Sequence, residues 1–540
     1  MTRWIMVLGV VVCCTLFASQ ALSNPVPWEY RVNRDTTGAQ QEPSAATFNW
    51  NRKYVGWKDW RTGIPQCWYA YSFALSGDTW PNNVQMVEPT YTAHANPCLA
   101  VNDSGILYYA LTGFDSAAPP SDIFVYAATD SGLHFGPPVL ATPGTPNTFE
   151  ARPWIAARGD TVYLTYHSFR GRDDWPYRNG DIYFTRSTDR GQSFLPPIRV
   201  NDNPQDSTGR GAPTVAVSSK GLLYVVWSMD TRNAPEVGIY CATTSSDGGR
   251  TFGPNHRVTA TVWQRDMPWR TGPLAMSAAS RDSGYLYITW ADQRDTLPRD
   301  TSTDVWFTRS IDNGSTFNQP LRLNNYSTYR FDHFMPAITI SLNEEVHCIW
   351  YTPFNWQPRD TFHVVHTSSR NHGETFDEPC RVSSVASPPK FGGPEGNSLG
   401  DYISIIAPAG GAIFFSFWTD SRGLDQDIYC SGGEYYGIEE KGVSNAVSSD
   451  LRLESCVPNP VSVNALLAFS LSHPATTSLT LYDVSGRRVK TLTQGLREAG
   501  YHVIRWDGVD EAGRSVPSGI YFYRLNAENQ SLTRRLTVVR

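Results

Sequence analysis

Cysteine is scarce in this chain: nine residues in 540, with Cys13 and Cys14 inside an apolar N-terminal run. The other seven (Cys67, Cys98, Cys241, Cys348, Cys380, Cys430 and Cys456) are scattered, with no CxxC pair. Such a dispersed, odd set argues against a disulfide scaffold or a zinc site and leaves small core residues as the expected role. Long runs of one charge are also missing. The formal net charge of −6 comes from 51 acids against 45 bases, so no basic stripe tracks a phosphate backbone, and nucleic acid is not an expected partner. After the N-terminus no apolar run is long enough to span a bilayer.

What the chain does have begins with MTRWIMVLGVVVCCTLFASQALSNP: Arg3, an apolar run from Trp4 to Phe17, then small residues through Ala21 and Ser23. Residues 1–23 therefore read as a secretory signal peptide, cleaved after Ala21 or Ser23. With 40% hydrophobic, 13% aromatic and 18% charged residues, the remainder is a folded globular chain.

A repeat follows. The segments DIFVYAATDSGLHF (122–135), DIYFTRSTDRGQSF (181–194), GIYCATTSSDGGRTF (238–252), DVWFTRSIDNGSTF (304–317) and FHVVHTSSRNHGETF (362–376) align on Gly132, Gly191, Gly249, Gly314 and Gly373. A period of roughly 60 residues means a repeat architecture. Each unit also holds an earlier hairpin, as in RPWIAARGDTVYLTY, and a short run after the glycine loop (IRV, HRV, LRL, CRV). Four antiparallel strands per unit, with no helical periodicity between them, predict a β-propeller. Five full units plus one assembled from both termini give six blades, or seven if the hairpin near residues 67–80 stands alone. The expected propeller runs over residues 64–437, after a lead segment 24–63.

The recurring Ser-x-Asp-x-Gly-x-Thr-Phe loop resembles the Asp-box, or bacterial neuraminidase repeat, of sialidases and other secreted propellers. Its residues explain themselves locally. Asp130, Asp189, Asp247, Asp312 and Asn371 can accept N–H bonds within the turn, and the glycines permit positive φ. One carboxylate per loop is too few for a calcium cage, so no metal or cofactor is expected.

Chemistry is therefore expected on the opposite face, where the connections between second and third strands lie. These carry Asp230 with Arg232, Asp292 with Arg294, and Asp420 with Arg422. The sialidase resemblance implies arginines gripping a substrate carboxylate, an Asp as acid/base, and a Tyr helped by a Glu as nucleophile. Arg152, Arg232, Arg294 and Arg422, with Asp230 and Asp420, are the ligand-binding candidates, and Asp292, Tyr402 and Glu395 the catalytic ones. Two observations oppose catalysis. Asp–Arg pairs that recur in several units brace their own loops, and the aromatic-Arg-Ile-Pro signature of sialidases is replaced by EARPW at 150–154. A non-catalytic module that binds glycan or protein is the first reading, and an exo-α-sialidase-type glycoside hydrolase the alternative.

Past a polar connector (438–455), residues 456–540 change character. Short alternating strands separated by SGRR, REAG, DEAG and PSG predict a small Ig-like β-sandwich. Pro458–Pro460, Tyr482–Arg487, Trp506–Gly513 and Ser518–Tyr523 are similar to FlgD-like Ig and type IX sorting tails of secreted bacterial proteins. The resemblance implies bacterial secretion machinery as a partner and a secreted or cell-surface location.

Overall fold

A computed structural model describes residues 28–434 and 451–539 apart from several stretches, the longest being 170–179, 203–208, 264–275, 295–302, 325–331, 354–360, 389–398 and 454–460. The proposed signal peptide and Glu395 lie outside the described residues, as do Arg232 and Cys456. The chain divides into two units, residues 1–435 and 436–540.

The first unit is built from antiparallel sheets that repeat radially. The described residues form seven such sheets, not six. The first has strands Gln40–Asn49, Arg52–Asp59, Gln66–Ser72 and Val84–Gln85, so the hairpin near the N-terminus does stand alone. Inner strands of the next six sheets are Ala93–Val101, Phe149–Arg158, Thr214–Val217, Met276–Ala279, Phe334–Ile340 and Ser404–Ile406. Each inner strand neighbours the next, and the seventh neighbours the first, which closes the ring. The outer strand of the seventh sheet is Trp28–Arg31, paired antiparallel with Asp427–Glu434. Residues 24–63, read above as a lead, thus supply this closing strand and half of the first sheet. Closure leaves the last sheet no bare edge.

The second strands bury a repeated tryptophan: Trp57, Trp227, Trp290, Trp350 and Trp418 are each at most 1% exposed. Alternating apolar residues on both sides of these strands pack between adjacent sheets, as when Tyr108, Val125, Ile155 and Leu164 join across the second and third. All five cysteines whose side chains are described are free, and only Cys380 is not fully buried.

Four inner strands begin with the same irregularity. Glu42, Asn96, Arg152 and Met335 have φ of 59°, 54°, 54° and 49°, and each precedes a proline. The register slips at each one, a β-bulge. A following proline disfavours the right-handed helical region, and a bulge tolerates the missing N–H. Left-handed backbone at non-glycine residues costs roughly 1–3 kcal/mol each and clusters where side chains must be aimed.

The second unit is a β-sandwich. One sheet pairs Arg452–Leu453, Ala465–Leu471 and Gly500–Trp506; the other orders Arg488–Arg497, Ala475–Asp483, Gly519–Ala527 and Gln530–Val538. Leu467, Phe469 and Trp506 from the first meet Leu481, Tyr523 and Leu536 from the second in one core. Among the described residues no helix is long and apolar enough to cross a membrane.

Candidate functional site

Strand direction places the starts of the inner strands and the second-to-third connections on one face, with the Asp-box loops on the other. The described mouth is built from three sets of side chains.

The Asp–Arg loops form the first set, and they include a copy not singled out in the sequence. Trp57-Lys58-Asp59-Trp60-Arg61, Trp290-Ala291-Asp292-Gln293-Arg294 and Trp418-Thr419-Asp420-Ser421-Arg422 share a Trp-x-Asp-x-Arg spacing. In each, the fully buried Asp accepts the indole N–H from two residues earlier, at 3.3, 2.7 and 2.9 Å. The same Asp accepts the backbone N–H of the Arg two residues later, at 2.9 Å in all three. The guanidinium then returns to the carboxylate, with Nη2–Oδ2 distances of 2.5, 2.5 and 2.6 Å. Each arginine also lies over a third-strand aromatic: Arg61 on Trp68, Arg294 on Trp306 and Arg422 on Tyr429. Arg422 additionally pairs with Glu29 of the closing strand. Asp292, Arg294, Asp420 and Arg422 are thus each engaged within their own loops, and they belong to two different sheets. Asp230 is the penultimate residue of the fourth sheet's second strand, Leu223–Thr231, its backbone opposite Gly209.

The second set fills the centre. Arg152, 4% exposed on the bulge of the third sheet, donates from Nη2 to Asp401 Oδ2 of the seventh at 2.7 Å. Its backbone N–H donates to Asn96 Oδ1 of the second sheet at 3.3 Å. Glu42 of the first sheet pairs with Lys58 at 2.7 Å, both side chains 3% exposed, and accepts from Asn96 Nδ2 at 3.4 Å. The bulges therefore aim one charged or amide side chain from each of three sheets into a single buried network, completed by Asp401. Beside it the Tyr402 ring lies tilted against Trp154, centroids 5.9 Å apart, and burial pushes its phenol well above the usual value although Arg152 opposes the shift. Tyr402 and Trp154 also line a cavity of about 270 Å3 enclosed by the inner strands, together with Cys98, Met276 and Ile338.

The third set has no motif to announce it. Phe114, Phe149 and Phe169 end or begin strands on this face and form a ladder, with centroids 5.8 and 5.2 Å apart, extended by His167 at 5.1 Å from Phe169. Next to Phe149 lies Glu150, 5% exposed, whose Oε1 accepts from Thr148 Oγ1 at 2.8 Å and Ser168 Oγ at 3.0 Å. Burial pushes its carboxyl up to about 7, outweighing both hydrogen bonds. The signal available in the sequence was a phenylalanine closing each of LTGF, NTF and HSF.

On the far face the Asp-box carboxylates bond inside their own turns. Asp130 accepts from the N–H groups of Leu133 and His134, Asp189 from those of Gln192 and Ser193, and Asp247 from those of Gly249 and Arg250. Asp312 and Asn371 accept from Thr316 and Thr375, and Gly314 lies at φ 81°. The turns also grip the preceding sheet. Arg186 and Arg309, in the repeated FTRS, donate to carbonyls of the next loop at Gly248 and His372. Among the described residues no group of three or more His, Cys, Asp or Glu side chains is placed to hold a metal ion.

The FlgD Ig-like domain family matches residues 462–531, within the second unit. The chain matches no curated protein. Among solved structures it is similar to an ulvan lyase of polysaccharide lyase family PL25, with 12% identity over 75% of this chain and 94% of that one, TM-score 0.48. A Trypanosoma rangeli sialidase in complex with sialic acid has 11% identity over 84% of each chain, TM-score 0.41. A Penicillium chrysogenum α-L-arabinanase complexed with arabinobiose has 14% identity over 73% of this chain and 93% of that one, TM-score 0.40.

Proposed function

We propose that the first unit is a non-catalytic module of an exported bacterial protein, binding extracellular glycan through the face that carries the second-to-third connections. The observation that carries this reading is internal neutralisation. The described arginines Arg61, Arg152, Arg294 and Arg422 each hold a carboxylate of their own chain, three of them with carboxylates fully removed from water. Taking such a pair apart to free a guanidinium for substrate leaves a buried uncompensated charge, at a cost of about 3–5 kcal/mol per pair. Tyr402, kept protonated by burial, is poorly placed to act as a nucleophile.

Phe114 and Phe149, the half-buried members of the phenylalanine ladder, offer a neutral surface on which a sugar ring can stack its C–H face. A secreted or cell-surface location fits the N-terminal apolar run, and the Ig-like tail fits a sorting or anchoring role through the bacterial secretion machinery. The hydrolase reading keeps one supporting observation, Glu150, which is held as a protonated acid near neutral pH beside that surface.

A glycan array probed with the full chain tests the binding reading. Binding is expected to fall at least tenfold in Phe149→Leu, which keeps an apolar side chain but removes the ring, and to persist in Arg294→Lys. Binding that ignores the ladder, or no glycan bound at all, would overturn it.

A further inference from the structure

The outer face of the larger sheet in the second unit is a second candidate surface, independent of the propeller mouth. In this sheet Leu481, Tyr521, Tyr523, Leu525 and Leu536 face the core, so their alternating neighbours face outward. Tyr482 lies opposite Phe522, Phe522 opposite Arg535, and Tyr482 opposite Arg488 on its other side. These four residues form one row across all four strands, about 14 Å long at the usual strand spacing. One step along, Arg524 places its guanidinium 5.3 Å from the Tyr482 ring centroid and donates to Thr533 Oγ1 at 3.2 Å. Phe522 is 36% exposed and Ile520, on the same face, 42%.

Charge on this sheet is one-sided. Its four strands contain the bases Arg488, Lys490, Arg497, Arg524, Arg534 and Arg535 but a single acid, Asp483. Asp483 is used at its strand end, accepting from Ser485 and Arg487 in its own turn. Lys490 is drawn to Asp507 at 2.7 Å, and Arg534 is turned to the Leu453 carbonyl. Arg488 and Arg524 flank the two rings, and the carboxylates that meet this sheet, Asp483, Asp507 and Glu511, are each engaged, by Ser485, Lys490 and the Thr491 N–H respectively.

We propose that this face binds an acidic polysaccharide, a sugar ring stacking on Phe522 and its carboxylate or sulfate groups forked by Arg488 and Arg524. An extended peptide would instead add to a strand edge. The C-terminal strand's edge is already met by the Val461 bridge and the Arg534–Leu453 bond, so the chemistry on offer is that of the face. An anionic bilayer needs more protruding apolar surface than Ile520 and Phe522 provide, because the Tyr482 ring is covered by a guanidinium.

The test is binding of the full-length protein to immobilised polygalacturonate and chondroitin sulfate, with neutral dextran and phosphatidylglycerol vesicles as parallel surfaces. Retention on the two polyanions is expected to weaken with salt. It should drop at least tenfold in Arg488→Ser/Arg524→Ser and in Phe522→Ser, and stay unchanged in Arg514→Ser, an exposed arginine paired to Asp510 elsewhere on the unit. Equal losses in Arg514→Ser, no loss in Phe522→Ser, or retention on vesicles alone would each overturn the assignment.

Discussion

Glu150 carries the clearest pH signature of the mouth. Its folded-state value of about 7 stands above the ordinary 4.5, so the folded protein holds this proton more tightly than the unfolded chain. Below about 4.5 the carboxyl is neutral in both states and costs nothing. As pH rises from there through 7, the folded state loses stability, with a limiting penalty on the order of 3 kcal/mol. Glu150→Gln removes the titration, so its unfolding free energy in urea, relative to wild type, should improve steadily between pH 4.5 and 7.5. A pH-independent difference would contradict the burial argument. The residue also shows what a sequence conceals. Asp292 with Arg294 and Asp420 with Arg422 were visible because the two partners of each pair lie only two residues apart in the sequence. The Arg152–Asp401 pair joins residues 249 positions apart. Nothing local in EARPW announces that partner.

At the scale of elements, the Asp-box turn was legible because every group it needs lies within about eight residues. Its packing was not. A Cβ added at Gly373, where φ is 78°, would stand 2.5 Å from the Phe307 ring of the preceding sheet. At Gly159, φ 54°, the same atom meets nothing within 4 Å. Both Ala substitutions pay for left-handed backbone, about 1–2 kcal/mol. Gly373→Ala should cost a further 1–3 kcal/mol of overpacking. Denaturant midpoints that fall equally in the two variants would show that the loop does not seat against the neighbouring sheet. The inner-strand bulges belong to this scale too. The recurring x-Pro of QEPS, ANPC, ARPW and FMPA was there to be read. Its meaning depended on register slips, which only strand pairing reveals.

For the whole molecule, ring closure was the hardest feature to read. The first sheet's third-strand loop lacks the expected Asp, so residues 67–80 read as a worn repeat that helps close a sixth blade, and the four-residue Trp28–Arg31 fell within the expected lead segment. Seven sheets instead of six set which inner strands face one another across the centre, where Glu42, Asn96, Arg152 and Asp401 converge. That network is spent on the protein's own carboxylates, and the account rests on this closed arrangement being incompatible with a sialidase-type arginine clamp. The most direct measurement is hydrolysis of fluorogenic glycosides, sialosides and arabinosides included, by the full-length protein across pH 4 to 8. Turnover no greater than in buffer is expected at every pH. Turnover that disappears in Glu150→Gln or Arg152→Ala would contradict it and make the mouth an active site.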